Sequence, residues 1–257
     1  TDRSNNAIKY QEVKYYTIVC GLKQNEEGAE RKADDFINLE DNEARVQMMS
    51  FHLAEYFFRK DNFAKAIDLY DQVSIDNLSN RELADMRFHQ GYSYFTLQRF
   101  DKAKSSLNAI RLAQDDPNYE AANYYYGFIS FFDKNYREAL DGFKVVEDHE
   151  EYGKVAPYYI SVIYYMQEDK QKALEYAESK LKRGNLFYEK EMQQLVGHGY
   201  FIQKQYAKAL PYLENYVSKA EKLTREDLYE LSYCYYSAGS WVKAIDGFKQ
   251  LGGKEDS

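Results

Sequence analysis

A small residue recurs at a nearly constant interval along this sequence, and that interval constrains the fold more than any other feature. The six anchoring alanines, spaced 37, 36, 34, 36 and 35 residues apart, are Ala66, Ala103, Ala139, Ala173, Ala209 and Ala244. Twelve residues before each one, at position −12, the sequence has Ala54, Gly91, Gly127, Ser161, Gly197 and Ser232. Such self-similarity is the signature of a repeat architecture.

Two further columns indicate what each repeat folds into. Position −9 holds Phe57, Tyr94, Ser130, Tyr164, Tyr200 and Tyr235, and position +4 holds Tyr70, Leu107, Phe143, Ala177, Leu213 and Phe248. Small residues at −12 and at the anchoring alanine suit two helices whose axes approach within ~8–10 Å. Bulky residues at −9 and +4 then fill the remaining inward-facing volume. One helix pair cannot bury its apolar face alone, so the pattern predicts stacked antiparallel pairs.

These columns resemble the tetratricopeptide repeat (TPR) over residues 48–251, with a departure at the fourth repeat, where Lys170 and Ala177 replace bulky side chains. The resemblance implies an all-α, right-handed α-solenoid and a single domain over residues 1–257. The predicted repeats span residues 47–83, 84–119, 120–153, 154–189, 190–224 and 225–251. A divergent pair over residues 8–43 is expected to precede them, anchored by Ala29 or Ala33.

A weaker resemblance is to envelope-associated TPR proteins of Bacteroidetes-type bacteria. It implies a location in the bacterial cell envelope, periplasmic or associated with the outer membrane, with the cytoplasm kept open. The sequence stops just after an apolar helical stretch, without a polar closing helix, so we interpret it as a fragment of a longer chain.

Composition excludes several classes of protein. The chain has 34 Lys and Arg against 42 Asp and Glu, a net charge of −8, whereas a nucleic-acid binder needs a basic face. No stretch reaches the ~18 apolar residues that cross a bilayer. With 27 Tyr, 15 Phe and only 3 Pro, packed helices are favoured over disorder. Cys20 and Cys234 lie in apolar helical stretches, so both thiols are predicted to be buried and unreactive.

We find no pattern typical of catalysis, of a cofactor or of a metal. None of the four histidines lies in a His-Glu-x-x-His motif, and His52 with Glu55 three residues later is interpreted as an ordinary polar contact. The acidic run at residues 147–151 lacks the glycine and alternating ligands of a calcium loop and is interpreted as a solvated loop. The sequence therefore predicts a protein that is not an enzyme and carries neither cofactor nor metal.

In the family that the sequence resembles, ligand peptides lie on the concave side formed by the first helices. Positions −15 and −11 vary in chemistry between repeats, which suits residues that contact a ligand. We predict partner contacts from Phe51, Glu55, Phe88, Tyr92, Tyr124, Phe128, Tyr158, Val162, Gln194, His198, Tyr229 and Tyr233. Position −8 is aromatic in all six repeats and is assigned to packing.

The character of these positions predicts the kind of partner. The Lys, Arg and Asn residues with which related proteins clamp a chaperone's acidic tail are missing from the matching positions, so an apolar or aromatic-rich protein segment is expected. The predicted function is a non-enzymatic scaffold that binds such a segment and helps to assemble a larger complex. Two alternatives stay open: a glycan-binding module that uses the same aromatic groove, and self-assembly through the last repeat.

Overall fold

The chain is helical along almost its whole length in a computed structural model. The structure describes residues 2–252, with the side chains of residues 9–252, and no strand occurs in this part of the chain. The helices are α1 (Asp2–Gln24), α2 (Ala29–Leu39), α3 (Glu43–Arg59), α4 (Phe63–Tyr70), α5 (Asn80–Thr96), α6 (Phe100–Ile110), α7 (Tyr119–Phe132), α8 (Tyr136–Val145), α9 (Ala156–Met166), α10 (Lys170–Arg183), α11 (Glu189–Ile202), α12 (Tyr206–Lys219), α13 (Arg225–Ser237) and α14 (Trp241–Gly252). Short 3-10 turns at Ile75–Asn77 and Tyr152–Lys154 lie in two of the connections.

Each predicted repeat corresponds to two consecutive helices, beginning with α3 and α4. Position −12 lies on the first helix of every repeat and the anchoring alanine on the second. The divergent N-terminal pair is α1 with α2, on which both Ala29 and Ala33 are buried. The all-α prediction is thus confirmed, and consecutive helix pairs are the arrangement of a TPR-like helical solenoid. The handedness and the single domain stay predictions.

The chain divides into two compact units, the first ending at Asp133 and the second beginning at Lys134. The division falls between the two helices of the third repeat. Unit 1 therefore contains α1–α7, and unit 2 contains α8–α14.

The predicted columns form the cores of the repeats. The anchoring alanines are at most 2% exposed, and the residues at −12 are buried in all six repeats. The closest approach is visible at two glycines. A Cβ atom added to Gly91 would lie 2.7 Å from Cγ of Leu107, and one added to Gly197 would lie 2.7 Å from Cδ2 of Leu213. Position −12 is therefore small because the leucine at +4 of the same repeat occupies the adjacent space.

The turn between the two helices of a repeat has the same backbone in all six repeats. Position −5 adopts a left-handed conformation, with φ between 56° and 74°, at Asp61, Gln98, Lys134, Glu168, Lys204 and Gly239. In the first repeat Asn62 N donates to the Phe57 carbonyl at 2.9 Å, and Asp61 N donates to the Phe58 carbonyl at 3.0 Å. This is the Schellman pattern, which satisfies carbonyls left open at a helix end.

The two cysteines differ from each other. Cys234 is 1% exposed, and burial raises the pKa of its thiol to about 12, as expected of an unreactive cysteine. Cys20, by contrast, is exposed, so the prediction that it is buried was wrong. The preceding Ile18 and Val19 face the core of unit 1, whereas Cys20 borders an open cavity that residues of α1 and α3 line.

Candidate partner-binding face

The first helices of the last three repeats line a cavity in unit 2. The cavity has a volume of ≈380 Å³ and is bordered by residues of α9, α11 and α13 and by Thr224. Four of the residues predicted to contact a partner line it: Tyr158, Val162, Gln194 and His198. The other lining residues are Tyr165, Glu191, Leu195, Thr224, Glu226, Asp227 and Glu230.

The cavity has one apolar side and one acidic side. Tyr158 and Tyr165 supply rings, and Val162 and Leu195 supply aliphatic groups. The acidic side carries four carboxylates, and no Lys or Arg among the described residues lines the cavity. A strong negative potential is expected in such a concave site, because low-dielectric walls concentrate the field.

Asp227 is a rigid part of the acidic side. It is 4% exposed, and its carboxylate accepts hydrogen bonds from Thr224 N at 2.9 Å and from Gln194 Nε2 at 2.7 Å. Thr224 and Asp227 together form a capping box that starts α13. The predicted contact residue Gln194 is thus held in place by α13, the first helix of the next repeat.

His198 pairs with a buried carboxylate of the next repeat. Its Nδ1 lies 2.6 Å from Oε1 of Glu230, and this hydrogen bond raises the pKa of His198 above its ordinary value. Glu226 stands one turn before Glu230 on α13, and one ligand atom from each of the three side chains lies within 4.8 Å of the others. These are the residues of the cavity that could hold a metal ion.

A histidine–glutamate pair also joins the first two repeats in unit 1. Nδ1 of His89 lies 2.8 Å from Oε1 of Glu55, which also accepts a hydrogen bond from the Tyr70 hydroxyl at 2.5 Å. Burial raises the pKa of Glu55, but the hydrogen bonds from His89 and Tyr70 outweigh burial and lower the pKa below its usual value. The ring of Phe58 stacks on His89 with a centroid distance of 4.0 Å.

Both pairs follow one geometric rule. A residue at position −11 of one repeat meets the residue at position −14 of the next, because these positions lie on facing sides of consecutive first helices. Tyr92 and Tyr125 obey the same rule, with ring centroids 5.1 Å apart. We call these contacts inter-repeat pairs.

The other predicted contact residues differ in exposure. Phe51 and Phe88 are buried in the core of unit 1, at 4% and 9% exposure. Tyr92, Tyr124, Phe128 and Tyr233 are half-buried, and Tyr229 is 47% exposed. The aromatic residues at position −8 are half-buried in five repeats and exposed in the sixth. In the fourth repeat, Tyr165 at position −8 lines the cavity together with Tyr158 at −15 and Val162 at −11, although position −8 was assigned to packing.

Sequence reasoning missed the carboxylates that face His198. Glu226 and Glu230 stand at positions −18 and −14 of the last repeat. Position −18 was placed on the same exposed stripe, but the predicted contact residues were chosen from −15 and −11 alone. The signal that would have found them is the offset between neighbours, since His198 at −11 of one repeat meets Glu230 at −14 of the next.

The architecture defines the class of fold to which this chain belongs. Consecutive helix pairs of about 35 residues, each with a buried anchoring alanine, are the tetratricopeptide-repeat fold. The predicted resemblance to TPR proteins is confirmed at the level of the fold. No helix in the described part of the chain is long and apolar enough to cross a membrane.

Solved structures with this fold match the chain along much of its length. A tetratricopeptide repeat protein from Parabacteroides merdae is 14% identical, with a TM-score of 0.52, over 97% of this chain and 94% of that one. The C-terminal part of a TPR repeat-containing protein from Cytophaga hutchinsonii is 15% identical, with a TM-score of 0.56, over 78% of this chain and 77% of that one. PilF of Pseudomonas aeruginosa is 14% identical, with a TM-score of 0.54, over 80% of this chain and 90% of that one. No protein-family model matches the sequence, and no curated protein matches it.

Proposed function

We propose that this chain is a non-enzymatic interaction scaffold that holds a segment of a partner protein along its first helices. The observation that carries the proposal is the cavity of unit 2, because three successive first helices contribute to it and four predicted contact residues line it. A concave site with an apolar wall and a few fixed polar groups is the usual form of a binding pocket.

The apolar wall indicates which part of a partner would be held there. Tyr158 and Tyr165 offer large rings that bury area at little cost in rotamer entropy, and Val162 and Leu195 complete the surface. An apolar or aromatic side chain of the partner fits this wall. In unit 1, the half-buried rings of Tyr92 and Phe95 give the first helices the same aromatic character. A single docked segment of this kind is expected to bind at about micromolar strength.

Capture from a lysate of the native organism tests the proposal. The binding variant is Val162→Gln with Tyr165→Ala, which removes apolar wall from α9, and the control is Met166→Ala on the same helix, since Met166 is 57% exposed and lies outside the cavity. We expect a protein that wild type and the control capture and the binding variant loses. Melting curves confirm that all three are folded. Equal capture by all three would contradict the proposal, and capture of glycans alone would favour the glycan-binding alternative.

Self-association is a second candidate function because the last helix is unusually apolar on its exposed side. Trp241, Val242 and Ile245 of α14 are 57%, 75% and 51% exposed. Adjacent exposed apolar side chains mark interaction surfaces. Light scattering after size exclusion tests this candidate: a dimer that Val242→Asp converts to a monomer would support it, and a monomeric wild type at high concentration would exclude it. The envelope location stays a prediction that fractionation of native cells would test.

A further inference from the structure

The two histidine–glutamate inter-repeat pairs share a register but differ in their surroundings. In unit 1, the Tyr70 hydroxyl and the Phe58 ring complete the environment of Glu55 and His89. In unit 2, the corresponding pair faces the cavity. Among the described residues, no hydroxyl donates to Glu230, and a second carboxylate, Glu226, stands near it. Glu55 therefore accepts hydrogen bonds from two side chains, whereas Glu230 pairs with one and lies beside an open cavity.

Glu230 is the most buried of the three side chains. Its side chain is 5% exposed, Oε1 is used by His198, and Oε2 has no hydrogen-bond partner among the described residues. A buried carboxylate is stable only when charge or hydrogen bonds compensate for lost hydration. Glu226, which makes no hydrogen bond or ion pair with another described residue, adds a second negative charge one turn away. The arrangement concentrates negative charge on a point at the cavity wall.

We propose that His198, Glu226 and Glu230 bind one first-row divalent metal ion of the Zn²⁺ type. Their ligand atoms lie within 4.8 Å of one another. In the tetrahedral geometry of zinc, with bonds of ~2.0–2.2 Å, ligand atoms lie ~3.3–3.6 Å apart, so the widest pair here must approach by roughly 1 Å for the site to close. Imidazole nitrogen together with carboxylate oxygen is a ligand set suited to zinc and its first-row neighbours.

The ligand types, rather than the spacing, favour a metal ion over an organic cation. An ammonium group ~2.7–2.9 Å from three acceptors would also fit atoms up to about 4.7 Å apart, but imidazole nitrogen is a common ligand of zinc and its first-row neighbours. Three protein ligands leave further coordination positions open, and these face the cavity. The proposal concerns a site on the chain itself and does not depend on the capture of a partner segment.

Titration of the chelator-treated full chain tests the metal site. Zn²⁺ is added in a calorimeter, and Co²⁺ is added while its visible d–d absorption is recorded. The principal variant is Glu226→Gln, because Glu226 is exposed and supports no other described residue. Glu230→Gln removes the buried ligand. The matched control is Glu55→Gln, which alters the equivalent inter-repeat pair of unit 1.

The expected result is one equivalent of metal bound by wild type and by Glu55→Gln, with affinity reduced at least about tenfold in Glu226→Gln and in Glu230→Gln. The Co²⁺ spectrum would change in the same two variants. Absence of saturable binding by wild type would overturn the proposal, as would equal affinity in Glu226→Gln. Melting curves recorded without metal show whether Glu230→Gln is folded. If it is not, the affinity of Glu226→Gln alone decides the test. Partner capture repeated with chelator present separates failure of this site from failure of the scaffold proposal.

Discussion

Gly197 and Gly199 lie two residues apart on one helix, and substituting them in turn measures how closely neighbouring helices pack. Both lie in α11, and both would gain about 1 kcal/mol of helix propensity on change to alanine. They differ in what the new Cβ atom would meet. At Gly197 it would lie 2.7 Å from Cδ2 and 2.8 Å from Cγ of Leu213, with the Leu213 backbone nitrogen at 3.2 Å. At Gly199 it would meet Cδ1 of Leu174 at 3.0 Å and no other atom of Leu174 closer than 3.8 Å.

The difference in stability between the two variants can be estimated because both gain the same helix propensity. Leu213 is fully buried, and its backbone nitrogen also lies 3.2 Å from the new Cβ, so rotation of the leucine side chain would not relieve the contact. Overpacking of this kind costs ~1–3 kcal/mol. At Gly199 a small shift of one methyl group is sufficient. Gly197→Ala is therefore expected to be about 1–3 kcal/mol less stable than Gly199→Ala, a difference of at least about 2 °C in Tm.

Thermal unfolding followed by far-UV circular dichroism measures this difference, with wild type and both variants under identical conditions. Gly199→Ala is expected to melt close to wild type or above it, and Gly197→Ala below it. Equal melting temperatures, or a more stable Gly197→Ala, would show that position −12 and position +4 do not approach each other closely. The inferred packing of the two helices within a repeat would then be wrong.

Three further predictions concern the turn, the buried histidine and the cysteines. Gly239→Ala forces a non-glycine residue into a backbone with φ of 74° and should cost ~1–2 kcal/mol, measured as a lower Tm; an unchanged Tm would contradict the left-handed turn. Burial lowers the pKa of His52 to about 4, so the unfolded chain binds more protons between pH 6.5 and pH 4 and stability falls as the pH falls through this window. His52→Gln should lose less stability there, by about 1–2 kcal/mol after allowance for partial exposure, and parallel curves of stability against pH would refute this. A thiol reagent should modify Cys20 in the folded protein and Cys234 only after denaturation, as mass spectrometry of labelled peptides would show; early labelling of Cys234 would contradict its burial.

The period of the sequence was sufficient to predict the fold because the residues that set it serve packing within a repeat. Ala209 and Gly197 must be small where two helices cross, and this requirement recurs in every repeat. The bulky residue at +4, Leu213 here, recurs in all repeats but the fourth, which has Ala177. The left-handed turn at position −5 left no such trace. Five of its six residues are not glycine, and the Schellman hydrogen bonds that hold it come from the backbone.

The candidate site was predicted only in part because its residues interact between repeats. Tyr158 and His198 were found from their place on the first helix, and both line the cavity. Phe51 occupies the same column as Tyr158 yet is buried, since the divergent N-terminal pair packs on α3 in the same core cluster. Glu230 was missed because its contact with His198 depends on the offset between neighbouring repeats, which a column-by-column comparison does not contain.

The inter-repeat pair has a consequence for how such a chain diversifies. Glutamate with histidine, tyrosine with tyrosine, and histidine with glutamate occupy the same two positions at three different repeat boundaries, each within one type of backbone. The side chains at these two positions can therefore change at one repeat boundary while those at the other boundaries stay the same. Placing the histidine, its paired glutamate and the neighbouring carboxylate at the equivalent positions of another repeat boundary would be expected to move the proposed metal site there. Each repeat boundary can therefore be redesigned separately.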